Sequence, residues 1–126
     1  MPDASRDPDT LQMSRIFDAP RERVFDAWAR QGQFVQWMCP PGVEITLCEV
    51  DVRRGGAWRV DGRSDAGVFS SSGIYLEVVR PERLVFTWAH HADGHFSRPR
   101  GHETTVRIEM RAVGARTELV LVHGPF

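Results

Sequence analysis

Six aromatic side chains and one histidine near the end of the sequence are the residues most suited to chemistry. Trp37, Trp58, Tyr75, Phe86 and Trp88, with Phe34 close by, lie in segments whose phases point several of them to a common side. Aromatic walls with few polar groups suit a hydrophobic or aromatic small molecule. His123 follows the phase of Leu119 and Leu121, so it should join the same face as a polar tip. There it could orient a carbonyl or hydroxyl, or act as a general base with Tyr75 as its acid partner. Met110 and Leu121 share the apolar phase of their strands and complete the candidate lining.

Other constellations offer less. His90, His91, His95 and His102 crowd one thirteen-residue segment and invite a metal reading. However, His90 and His91 are neighbours and point to opposite sides of an extended chain, so a preformed site is not expected. The carboxylates Glu44, Glu49, Glu77, Glu103 and Glu109 form no obvious pair for glycosidase-type work. "RRGG" joins two strands and opens no helix, so it is not a phosphate loop. No nucleophile elbow occurs. Arg53, Arg54, Arg59 and Arg63 gather around one hairpin, and Arg98 and Arg100 follow in the long segment. They read as solvated surface, with contact to a ligand carboxylate or acidic partner as the functional alternative. Ligand binding without metal or nucleotide cofactor is therefore expected ahead of catalysis.

These residues need a scaffold. A chain of 126 residues fits one domain with one real core. It is 41% hydrophobic and 26% charged with net charge −1, which gives no basic excess for nucleic acid. No apolar run approaches the roughly 20 residues that cross a bilayer. The polar start reads as a frayed tail over 1–10 and not as a secretory signal. With only Cys39 and Cys48, a reduced cytoplasmic setting is expected.

"LQMSRIF" alternates as a first strand, with Leu11, Met13 and Phe17 on one side. Pro20 suits the first position of a helix running to Arg30, striped by Val24, Phe25 and Trp28. A second short helix, about 33–38, carries Phe34, Trp37 and Met38 and ends at "CPPG". Strands follow at 43–53, 57–61, 68–79, 83–89, 104–110 and 117–123, with "DGRSDAG" as a hairpin turn. Gly73 interrupts the longest strand and marks a bulge or bend. The order is α+β: a strand, two short helices, then a six-stranded antiparallel meander.

The blocks "FDAPRERVFDAWARQGQFVQWMCPPG", "VDVRRGGAWRV", "SGIYLEVVRPERLVFTW" and "TELVLVHGPF" resemble successive blocks of the activator-of-heat-shock-protein-90-ATPase homologue family. That family is START-like, of the helix-grip kind shared with the birch-pollen allergen. The resemblance, over residues 11–126, implies a curved sheet gripping a long C-terminal helix around a lipophilic cavity. It also implies two alternatives to plain ligand binding: contact with a chaperone, or cyclase/dehydratase-like chemistry at His123. "VHGPF" matches the lead-in to the long helix, and the sequence stops there. The helix is therefore expected to be absent and the concave face bare. A homodimer or higher oligomer is then expected to cover it.

Overall fold

The computed structural model describes residues 9–29 and 41–125. The expected second short helix, with Phe34, Trp37 and Cys39, lies outside the described residues, as does most of the N-terminal tail. The elements are β1 (Leu11–Phe17), α1 (Arg21–Trp28), β2 (Glu44–Val50), β3 (Ala57–Ser64), β4 (Gly67–Val79), β5 (Arg83–His90), a 3₁₀ turn (Ala92–Gly94), β6 (Thr104–Val113) and β7 (Arg116–Gly124). The seven strands form one curved antiparallel sheet in the order β1-β7-β6-β5-β4-β3-β2. The meander runs as the sequence implies, and β1 closes it by pairing with β7 from Leu11↔His123 to Phe17↔Thr117. This is a helix-grip-like α+β fold, and no long C-terminal helix occurs among the described residues.

Register sorts the side chains onto two faces. Residues directly opposite across an antiparallel pair share a face. Tyr75↔Phe86, Phe86↔Val106 and Val106↔His123 therefore form one row across four strands. The same concave face carries Trp58 and Val60 from β3, Leu84 and Trp88 from β5, Ile108 and Met110 from β6, and Leu119 and Leu121 from β7. Helix α1 lays Val24, Phe25 and Trp28 onto this core and contacts β6 and β7. The Thr117 hydroxyl donates to the Ala19 carbonyl at 2.7 Å and anchors the approach to the helix at that end of β7.

Several expectations are corrected. Pro20 sits one residue before the helix, in extended conformation, and its carbonyl accepts from Arg23 and Val24 N–H. The turn expected across "DGRSDAG" shrinks to Asp65–Ala66, because β3 runs on to pair Ser64 with Gly67. Arg63 forks onto Glu44 at 2.9 and 3.0 Å and Asp61 accepts from Ser70, so cross-strand partners outweigh the turn-forming residue types. The arginines expected to gather at one hairpin are spread along the sheet: Arg53 pairs with Asp51 at the β2–β3 turn, Arg59 with Asp61, and Arg63 with Glu44 at the far end. The concave face expected to be bare is largely filled: Trp58, Tyr75, Phe86 and Ile108 are buried within the single chain.

Gly73 does mark an irregularity, and the cause is a side chain from the next strand. Trp58 stands opposite Gly73, and its indole N–H donates to the Thr87 carbonyl on β5 at 3.0 Å. A Cβ at Gly73 would lie 1.8 Å from that carbonyl and 2.5 Å from the indole nitrogen. The Thr87 hydroxyl in turn accepts from Ile74 N–H at 2.9 Å. The register shift follows between Tyr75 and Glu77, so the bend spreads over several residues.

Candidate functional site

The far end of the concave face, opposite the α1 end of β7, gathers the polar groups. Trp88 is half-buried. Its ring lies 5.6 Å from that of His123 and 6.0 Å from that of His90, and packs edge-on against Trp58 at 5.1 Å. The Thr104 hydroxyl shares a 2.7 Å hydrogen bond with His123 Nε2 and donates to the Trp88 carbonyl at 3.3 Å. Ser71, paired with His90 across β4 and β5, shares a 2.7 Å bond with His90 Nδ1. Each histidine is thus oriented by a hydroxyl, with the indole between them.

Both imidazoles are held below the ordinary histidine pKa. For His123 the cause is burial first and the nearby charge of His90 second. For His90 it is burial and then His91. Neutral imidazoles beside an indole make a weakly polar rim. The strand beyond is apolar and open: Leu11, directly across from His123, is 48% exposed, and Met13, across from Leu121, is 38% exposed.

Of the residues singled out from sequence, His123, Trp88 and Trp58 come together here. Tyr75 and Phe86 lie deeper, their rings 5.6 Å apart, and Met110 and Leu121 are core on β6 and β7. Phe34 and Trp37 lie outside the described residues. Tyr75 occupies the same row as His123 but two strands intervene, about 14 Å along the sheet at ~4.8 Å per strand. Burial pushes its phenol pKa well up. Tyr75 and His123 are thus no hydrogen-bonded acid–base pair. His90 was legible in sequence, because it continues the phase of Leu84, Phe86 and Trp88. Its neighbour His91 turns to the opposite, convex face, as adjacent residues of an extended chain must.

On that convex face, residues 91–101 fold back onto β3 and β4. His91 bridges to Arg100, and Gly94 approaches the backbone of Val68. Most of their side chains are exposed, as a solvated segment requires, while these contacts hold the backbone against the sheet. Between the fold-back and the sheet lies a cleft of about 700 Å³.

Residues 18–126 match the family described as Activator of Hsp90 ATPase homolog 1-like protein. The chain belongs to this family. Among solved structures it is similar to the AHSA1 protein of Silicibacter pomeroyi, at 28% identity over 93% of this chain and 80% of that one, with a TM-score of 0.76. A protein of Chromobacterium violaceum is 26% identical over 93% of this chain and 79% of that one, at a TM-score of 0.76. A Mycobacterium smegmatis protein reaches a TM-score of 0.78 at 18% identity over 98% of this chain and 76% of that one, which is a likeness of fold alone. No curated protein matches the chain. The described helices include none long and apolar enough to cross a membrane.

Proposed function

We propose that this family member is a START-like binding module that takes an uncharged hydrophobic or aromatic molecule on its concave face, without catalysing a reaction on it. The observation that carries the reading is Trp88, half-buried between two imidazoles held towards their neutral form. The ligand's apolar body rests on Trp88 and on the open strip of Leu11 and Met13. His90, whose Nδ1 is held by Ser71, supplies one directional hydrogen bond from its other nitrogen. Each histidine ring shares a hydrogen bond with a hydroxyl, which orients it beside Trp88.

The neutral fluorophore N-phenyl-1-naphthylamine tests the reading. It is expected to bind with blue-shifted emission, and Trp88→Ala is expected to weaken it by at least about tenfold, or 1.4 kcal/mol. Equal binding by Trp88→Ala and the parent chain would overturn the proposal. Contact with a chaperone rests on the family description alone, and no surface feature among the described residues favours it.

A further inference from the structure

We propose that the convex cleft under the 91–101 fold-back is a second binding site, for a small apolar carboxylate. It stands on the opposite side of the sheet from the Trp88 rim and does not depend on that reading.

Two guanidiniums and one neutral serine line the cleft, and one of the two reaches the serine. Arg59 on β3 is paired directly across from Ser72 on β4. Arg100 reaches in from the fold-back and donates Nε–H to Ser72 Oγ at 3.2 Å and Nη2–H to its carbonyl at 2.9 Å. Their acidic partners stand away from the serine. Arg59 forks onto Asp61 two residues along, and Arg100 Nη1 donates to the exposed Glu103 at 2.7 Å. Burial works against the charge of Asp61, but hydrogen bonds from Arg59 and Ser70 keep its carboxyl below the ordinary range. Three of the five Arg100 N–H groups are used in these bonds, which leaves two.

With a neutral His91, the floor takes one arrangement. His91 Nδ1 faces the Arg98 carbonyl at 2.9 Å, and a carbonyl only accepts, so Nδ1 carries the proton. Nε2 then accepts the Ser72 hydroxyl proton at 2.7 Å, while Ser72 Oγ accepts from Arg100. In that tautomer Ser72 has no proton left to offer, and the cleft lining sets Arg59 and Arg100 on one side against Glu49 and Asp51 on the other. The walls are apolar: Ile74 is 48% and Phe96 is 44% exposed. Phe96 is held against the sheet by the Arg59 guanidinium, 4.0 Å over its ring, and by the His91 ring at 4.9 Å. At the β2 edge, Asp51 is taken by Arg53, and Glu49 stands across from Arg59. Both carboxylates line the cleft, so a bound carboxylate belongs on its opposite, Ser72–Arg100 side. A cleft of about 700 Å³ falls within the roughly 300–1,000 Å³ of small-molecule sites. A carboxylate pairs with a guanidinium by two parallel hydrogen bonds, which a neutral amide cannot match.

The matched probes 1-naphthaleneacetate and 1-naphthaleneacetamide test the inference by calorimetry, with amide NMR shifts to locate the site. The carboxylate is expected to bind at least about tenfold more tightly than the amide, shifting residues 57–59, 72–74 and 91–100. Arg100→Gln should remove that preference while leaving N-phenyl-1-naphthylamine binding at Trp88 unchanged. Arg100 also holds the fold-back, so Ile74→Glu serves as a second variant. It places a carboxylate at an exposed position in the cleft and should abolish 1-naphthaleneacetate binding with the fold intact. Equal affinity for the two probes, retained binding in Ile74→Glu, or binding lost in Trp88→Ala instead would each overturn the proposal.

Discussion

Gly73 and Trp58 are a single device made of two residues. The missing Cβ of one is the gap through which the indole of the other reaches Thr87. Gly73→Ala therefore does more than add a methyl group: it forces the indole off its carbonyl and leaves a buried donor and acceptor unpaired. Overpacking and an orphaned hydrogen bond each cost about 1–3 kcal/mol, so a loss on the order of 3 kcal/mol is expected. Urea unfolding measures it, and a change under about 1 kcal/mol would show that the strand relaxes freely. At an exposed pair the scale differs. Arg63→Ala breaks a two-bond contact with Glu44, but both side chains are more than half exposed. Solvent screening makes the cost small, so the urea midpoint is expected to move far less than for Gly73→Ala.

The strands set which histidine does what. β5 ends at His90 with its concave phase intact, and one residue later His91 belongs to the other face. This parity was legible in sequence, as was the placement of His123 by Leu119 and Leu121. The pairing of Asp61 to Ser64 into β3 was not, because Asp, Gly, Arg and Ser are turn-forming types and the partners that keep them extended lie on other strands. The convex cleft was equally hidden. It depends on Arg100 meeting Ser72 and Phe96 meeting Arg59, contacts between residues 28 and 37 apart that no local pattern encodes. The paired histidines also give the element a pH signature. In the unfolded chain they take up protons near pH 6.5, but in the fold only at lower pH. Between those values the unfolded state binds more protons, so stability rises with pH there and levels off above it. Unfolding free energy is expected to fall as pH drops below about 6.5. A His90→Gln/His123→Gln variant should flatten that slope, and an unchanged slope would mean the rings titrate normally.

At the scale of the molecule, the question is what meets the open strip at the β1 edge. Among the described residues, β1 is one of the two edges of the sheet. Leu11 and Met13 stand exposed on its concave face and Ile16, 51% exposed, on the other. An edge strand with apolar side chains on both faces is a template for a second strand, and two copies of β1 running antiparallel would continue the sheet through a two-fold axis. That arrangement would bring the Leu11 and Met13 side chains of both copies onto one continuous concave surface beside His123. Dimerisation and occupancy of the Trp88 rim would then be linked, since each copy extends the other's apolar floor. Sedimentation velocity over a wide concentration range is expected to show a reversible dimer. Ile16→Lys should shift it to monomer, because Ile16 faces away from the rim and a charge on an edge strand opposes pairing. If the rim is shared, the monomeric variant should also bind N-phenyl-1-naphthylamine more weakly, and raising the concentration of the parent chain should tighten binding. A monomer at every concentration would place the whole binding surface within one chain.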